Sequence, residues 1–275
     1  MQIKNNLKYF LPPFIIDVGL KTKKVFTRKS TPKWETIING LLKDYKLYVN
    51  KDNRVFRDML YGEYDYFFWD YLKKFNLDNT TILDVGGHIG YHTLGFSKLV
   101  GQKGKIIVFE PNIYNSERLE MNLKKNKVLN SKYKIYKVAL SNKNETTTFN
   151  FSKNVDNMES SGGYIEDSKT PLSSDKYKKL GFTSTPVTSN TLDRVLKGEK
   201  VNKLSLIKID VEGAEQLVLE GSINTIKEHK PNIILEVHSI VSMFWVLKFL
   251  FESNYSMKIL KEDSNSRCFI AAEPK

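Results

Sequence analysis

From Thr80 onward, short apolar runs alternate with amphipathic stretches at nearly regular spacing. TILDV (81–85) reads as a strand, followed by a glycine turn and a helix over 89–100 that Gly101 stops. KIIVFE (105–110) is a second strand. Pro111 then suits the first turn of a helix running to about Lys127. KYKIYKVAL (132–140) and the alternating ETTTFNFS (145–152) read as further strands. Residues 152–185 are polar, rich in Ser, Gly, Asp and Lys, and too long for an ordinary connection, so a functional lid or a disordered segment is expected there. Asn190 or Thr191 caps a short helix in SNTLDRVL (189–196). Strand LSLIKID (204–210) leads to a helix over 213–228, and strand NIILEVH (232–238) to an apolar helix over 240–253. SMKIL and RCFIAAE close the chain as two strands joined by a polar turn. No internal repeat is visible.

Strands alternating with helices predict an α/β fold with a doubly wound, mostly parallel sheet. The closing strand–turn–strand replaces the last crossover helix and places one antiparallel strand near the C-terminus. A dinucleotide-binding dehydrogenase would continue into a second half-fold instead. Residues 55–75 are aromatic-rich, with helical spacing broken near Gly62. Residues 1–55 have weak periodicity and read as a basic N-terminal arm or small extension with one or two short helices. Residues 56–275 then form the main domain, with 152–185 as a long loop on its acceptor side.

Composition narrows the class. The 275 residues, 40% hydrophobic and 27% charged, suffice for one large core. The single cysteine, Cys268, excludes an intrachain disulfide framework and any multi-cysteine zinc site, and fits a reducing, cytoplasmic compartment. No apolar run reaches the ~20 residues of a membrane span. YFLPPFIIDVGL (9–20) is broken by Pro12, Pro13 and Asp17 and is followed by no small-residue cleavage site. It reads as a docking segment or a shallow, peripheral membrane contact rather than a secretion signal. Residues 1–60 hold thirteen Lys/Arg against five Asp/Glu, which is +8 of the net +12. An anionic surface or a nucleic acid is one partner for that arm; solvated lysines are the plainer explanation.

Three constellations carry chemistry. Gly86, Gly87 and Gly90 form a turn that lets a ligand approach the backbone, with a helix N-terminus beside it. The spacing is G-G-x-x-G, and no Lys-Ser/Thr pair follows, so a P-loop is excluded. Asp84 precedes the turn. Glu110, at the end of the second strand, could accept two ribose hydroxyls. In KIDVEGAE (208–215), Lys208 and Asp210 share a strand face, with Asp210 at the carboxyl end where such sheets bind ligands. Glu212 and Glu215 follow in the turn, and Glu215 reads as helix N-terminal charge. Glu236 and His238 form a second i, i+2 pair at a strand end. Next to Asp210 they offer a general base or a weak metal site, and the reading adopted assigns no metal. His88 and His92 are spaced i, i+4 but lack the H-E-x-x-H glutamate, so His88 is placed near the ligand and His92 on the helix face.

DVGGHIGYHTLGFSKLVGQKGKIIVFEPN, TLDRVL, LIKIDVEGAEQLVLEGS and IILEVH, in that order, resemble the FkbM-type methyltransferases, which use S-adenosylmethionine. The resemblance covers about residues 55–270. It implies a class I methyltransferase (Rossmann-like) fold with seven strands in the order 3-2-1-4-5-7-6. It also implies methyl transfer, usually to a hydroxyl on a sugar, glycolipid or secondary metabolite. Carried over by position, Asp84, Gly86, Gly87, His88 and Gly90 border the methionine part of the cofactor and Glu110 its ribose. Asn112, Ala139 and Leu140 border the adenine, while Asp210 and Glu212 face the methyl group. Ser141 stands where many members carry an acid. For in-line transfer, Asp210 or His238 is the expected base, oriented by Glu236.

Two rivals remain at this stage. An RNA 2′-O-methyltransferase would use the basic arm, but no second catalytic lysine lies near Glu236. A non-catalytic nucleoside-binding scaffold would keep the fold alone. The acceptor is expected to be a small molecule or glycan, and the oligomeric state is not readable.

Overall fold

The computed structural model describes residues 31–153, 163–166, 168, 181–201, 203–262 and 267–275. It begins with a hairpin, β1 (Lys33–Thr36) and β2 (Lys46–Val49), followed by α1 (Arg54–Tyr61) and α2 (Tyr66–Leu72). Asn53 caps α1 by accepting from the Val55 N–H, and Gly62 ends it at a left-handed φ of 72°. Within the expected arm, residues 33–49 form a hairpin. Each strand has only four residues, too few for an alternation to show in sequence. Ile37, Leu42, Leu47 and Val49 join the same core as Phe56, Phe68 and Ile82. The boundary expected at residue 55 therefore falls inside α1. Most of the basic arm, with YFLPPFIIDVGL, lies outside the described residues.

The alternating region follows as β3 (Thr81–Val85), α3 (Tyr91–Leu99), β4 (Lys105–Phe109), α4 (Ile113–Lys125) and β5 (Tyr133–Tyr136). Next come β6 (Ala139–Leu140), β7 (Glu145–Ser152), β8 (Tyr164–Ile165), β9 (Phe182–Asn190) and α5 (Leu192–Lys197). The chain ends with β10 (Leu204–Ile209), α6 (Glu215–Glu220), α7 (Ile223–His229), β11 (Asn232–Val237), α8 (Ile240–Glu252), β12 (Tyr255–Glu262) and β13 (Cys268–Pro274). Seven strands form one mixed sheet in the order β12-β13-β11-β10-β3-β4-β5. Numbered within the sheet, this is 6-7-5-4-1-2-3. β13 runs antiparallel to both neighbours, and the other pairings are parallel. β3 is buried along its whole length, as a central strand between two helical layers must be, whereas the edge strand β12 is mostly exposed.

Two sequence-level elements divide. KYKIYKVAL was one expected strand; its first half is β5, and its last two residues, β6, leave for a second sheet of order β6-β9-β7-β8. The helix expected over 213–228 is α6 and α7, parted at Gly221, where a Cβ would sit 2.1 Å from the Ser141 carbonyl oxygen. β9 takes residues 182–185 out of the expected long loop and pairs antiparallel with β7. Residues 154–162, 167 and 169–180 of that loop lie outside the described residues. Phe149, Phe151, Ile165, Ala139 and Ala214 make a small separate core under the second sheet.

Candidate active site

β3 and β10 are neighbours in the middle of the sheet, and their carboxyl ends open into one pocket. On the β3 side the chain turns at Gly86, with φ 81°. A Cβ there would lie 1.8 Å from the Asp210 carbonyl oxygen, so only glycine permits the two strand ends to meet this closely. The amides of Gly86 and Gly87 both donate to the Phe109 carbonyl, at 2.9 and 3.1 Å, tying the turn to β4.

Glu110 ends β4 and closes one side of the pocket. It is 5% exposed, and its two carboxylate oxygens accept from the His88 N–H (2.8 Å) and the Asn112 N–H (2.9 Å). Burial outweighs these hydrogen bonds and pushes its carboxyl up to about 7. Asn115 reaches Glu110 from α4 and lines the same wall. Its Oδ1 is buried without a hydrogen-bond partner among the described residues. Val138, Ala139 and Leu140 continue the wall, and Phe149, Gly163 and Ile165 of the second sheet face them.

Three residues expected to touch the ligand lie outside the pocket lining. Asp84 is fully buried beneath the turn and absent from the pocket lining. It accepts from Thr93 Oγ1 at 2.6 Å, and Lys208 Nζ lies 3.4 Å from its other oxygen. Asn112 is 2% exposed and caps α4 through the Tyr114 N–H. Its backbone orients Glu110, but its side chain does not enter the pocket lining. Gly90 likewise starts α3 rather than lining the pocket, whereas Gly86, Gly87 and His88 do line it. Burial lowers the His88 imidazole to about 4, so it is neutral. His92 is 8% exposed and lies 3.2 Å from Asp65 among the rings of Phe68, Trp69 and Phe96, and it too borders the pocket.

On the β10 side, Lys208 is 4% exposed and donates to the Gly86 carbonyl at 2.7 Å. It lies 3.5 Å from Asp210 Oδ2. Asp210 and Glu212 line the pocket; Glu236 and His238 sit behind them. The structure therefore brings Asp210, Glu236 and His238 together, as the strand register predicts. His238 is 1% exposed. Its Nδ1 is 2.7 Å from Glu215 Oε1, and its Nε2 is 3.4–3.8 Å from Glu212, Glu236 and Asp210. Burial works against the charged ring, but Glu212, Glu215 and Glu236 overcome it and raise His238 to about 10. Burial tends to raise Asp210, yet Lys208 and His238 hold it below the usual carboxylate range. Burial and the charge on Asp210 lift Glu236 to about 8.

Sequence reasoning missed three contributors. Tyr64 lines the pocket, its phenol kept protonated by burial and by Asp65, Asp210, Glu236 and Glu212. Glu215 was read as helix charge but clamps His238 and also accepts from the Gly213 N–H at 2.8 Å. Asn115 carried no signal beyond a polar residue on an otherwise amphipathic helix.

Residues 84–257 match the Methyltransferase FkbM domain family, which is well over half of the chain. The chain belongs to the FkbM methyltransferase family. Over 188 residues it is 26% identical to the hexuronic acid methyltransferase AglP of Haloferax volcanii, covering 67% of this chain and 66% of that protein. The methyltransferase FkbM structure from Methylobacillus flagellatus superposes with a TM-score of 0.51 at 15% identity, over 73% of this chain and 45% of that one. The chain thus spans just under two thirds of its curated relative and under half of the solved FkbM chain. The FkbM match begins at Asp84 and ends in β12, so it contains the turn, Glu110, the second sheet and the β10–β11 carboxylates.

Proposed function

We propose that this FkbM-family protein transfers a methyl group from S-adenosylmethionine to a hydroxyl of a carbohydrate acceptor. The observation that carries the reading is the pocket itself. A buried carboxylate at the end of β4 faces a glycine turn, and two further carboxylates stand across from it at the end of β10. The residues fit the cofactor. Glu110 offers acceptor oxygens for a ribose diol, Asn115 Oδ1 is a buried acceptor still to be met, and the apolar wall of Val138, Leu140, Phe149 and Ile165 suits a purine face. Gly86, Gly87 and His88 lie where the methionine end would pass.

Bound S-adenosylmethionine supplies a methyl group made electrophilic by its sulfonium. The protein positions the acceptor and removes its proton. Asp210 is ionised and faces the pocket, so its carboxylate can take the hydroxyl hydrogen bond and then the proton. His238, held protonated by its ring of carboxylates in the absence of a bound cation, fixes Asp210 and Glu212 in place, so that of the two bases the sequence offered the reading takes Asp210. Glu236 lies behind Asp210 and shares its orientation through His238.

A sugar acceptor is supported by the hexuronic acid methyltransferase relative. Lys208 is committed to the Gly86 carbonyl, Asp84 and Asp210, which speaks against a free catalytic lysine of the RNA 2′-O-methyltransferase kind. The test is to incubate purified protein with methyl-labelled S-adenosylmethionine and, separately, uronic-acid saccharides, neutral saccharides and total RNA. Label in a saccharide upholds the reading; label in RNA, or in none of them, overturns it.

A further inference from the structure

The carboxylate cluster behind the pocket has the chemistry of a cation site. We infer that Asp210, Glu236 and His238 bind a divalent first-row metal ion beside the acceptor position. One donor atom from each lies within 4.8 Å of the others. His238 Nε2 stands 3.8 Å from Asp210 Oδ1 and 3.7 Å from Glu236 Oε1. Metal–ligand bonds of about 2.1–2.2 Å place two donors on one ion about 3–4.4 Å apart, so one ion can span these atoms with little movement.

Three independent observations point to a ligand rather than a mere acidic patch. The first is His238 Nε2, which is buried, aimed into the cluster, and without a hydrogen-bond partner among the described residues. The second is the opposite ring nitrogen. Nδ1 is 2.7 Å from the fully buried Glu215, the carboxylate–histidine arrangement that orients the ring; the incoming cation displaces the Nε2 proton that the carboxylates otherwise hold there, and Nε2 then serves as the donor. The third is charge. Asp84, Asp210, Glu212, Glu215 and Glu236 crowd around Lys208, Arg267 and His238, with Arg267 3.7 Å from Glu236. The carboxylates outnumber the fixed cations, and a divalent ion offsets the excess.

Two carboxylates with one imidazole favour Mn²⁺-type ions over Ca²⁺, which prefers oxygen alone. Asp210 lines the pocket, so the ion's open position would face the acceptor. Within the methyl-transfer reading, on which this role rests, it would ligate the acceptor hydroxyl and ease its deprotonation. Asp210, holding the ion through Oδ1, would still receive the proton through its other oxygen.

The experiment is metal binding to the full chain without cofactor or acceptor. Chelator-treated protein is titrated with Mn²⁺ and followed by electron paramagnetic resonance. One bound Mn²⁺ per chain is expected, with electron spin-echo modulation from an imidazole nitrogen. Glu236→Gln and Asp210→Asn each weaken binding at least about ten-fold, and Glu215→Gln, acting through the His238 ring, about ten- to a hundred-fold. Lys124→Ala, at an exposed position of α4, leaves Mn²⁺ affinity unchanged, and a native circular-dichroism spectrum of the Glu236→Gln and Asp210→Asn proteins shows that their fold is intact. Absence of binding at millimolar Mn²⁺, binding without a nitrogen signal, or unchanged affinity in Glu236→Gln and Asp210→Asn overturns the site. Mn²⁺ bound as described while no saccharide is methylated would sink the proposed function and leave the metal site standing. Methyl transfer with no Mn²⁺ bound would do the reverse.

Discussion

Glu110 offers the sharpest test of the binding half of the pocket, because burial lifts its carboxyl to about 7. A protonated Glu110 cannot accept hydrogen bonds through both oxygens from a ribose diol, so only the ionised fraction binds. About one chain in eleven is ionised at a pH one unit below that value and about ten in eleven one unit above, so affinity rises about ten-fold across those two units. Adenosine is the ligand of choice, since it keeps the diol and lacks the titrating amino-acid end of the full cofactor. Stability of the unliganded protein moves in the opposite sense. The folded state binds more protons than the unfolded state between 4.5 and about 7, so stability falls as pH rises through that window, by roughly 3 kcal/mol. Adenosine reverses part of this loss above pH 7. Glu110→Gln removes the pH dependence. Its amide nitrogen must also face either the His88 or the Asn112 N–H, both of which are donors. The lost charge-assisted bonds to the diol cost about 2–4 kcal/mol, or roughly thirty- to a thousand-fold in Kd, while the unmet donor lowers the stability of the free protein. Calorimetry across pH 6 to 8 checks this. An adenosine affinity that is flat with pH, or a folded Glu110→Gln protein binding as tightly as wild type, refutes the reasoning.

Other perturbations probe the remaining walls. Asp210→Asn retains cofactor affinity within about three-fold in calorimetry but lowers labelled methyl transfer at least about a hundred-fold, because the amide cannot take the proton. Lys208→Met leaves Asp84 buried and uncompensated and costs about 3–5 kcal/mol in denaturant unfolding, with Lys208→Arg intermediate. Gly86→Ala meets both a positive φ and a Cβ 1.8 Å from the Asp210 carbonyl, so it lowers unfolding free energy by more than about 2 kcal/mol and separates the two strand ends.

The main sheet was legible because its inner strands are continuous apolar runs, and TILDV, KIIVF and LSLIKI are buried almost throughout. The closing pair SMKIL and RCFIAAE showed the antiparallel strand because only a short polar turn separates them. Of the second sheet, ETTTFNFS was legible as the strand β7, but its pairing with a strand beyond the long loop was not. FTSTPVTSN is polar, contains Pro186, and is stabilised by pairing with β7 rather than by its own apolar face. The same limit applies to the site. Glu110 and Asp210 could be placed because each ends a strand at the ligand edge. Asp84 and Asn112 sit at similar strand ends, yet their side chains turn inward to Thr93 and to the α4 cap. Sequence spacing sets the position of a side chain along the strand; the helix packed against it decides whether that side chain meets the ligand or the scaffold.

That distinction divides the pocket by strand. On the proposed reading, β3 and β4 supply the turn and Glu110, which would hold the cofactor, and the end of β10 supplies Asp210, which would take the proton, with Glu236 and His238 from the end of β11 behind it. Lys208 joins the two sides. Its ammonium donates to the Gly86 carbonyl on the holding side and lies within 3.5 Å of Asp84 and Asp210. The buried ion pairs keep the lysine charged, with Asp210 and Asp84 overcoming the burial that opposes it. A shift of the glycine turn is therefore felt at Asp210 both through the backbone contact of the two strand ends and through the buried Lys208 ammonium. Lys208→Met is accordingly expected to weaken cofactor binding and slow transfer together, whereas Asp210→Asn separates them. The lysine works as the joint between binding and chemistry rather than as a member of either.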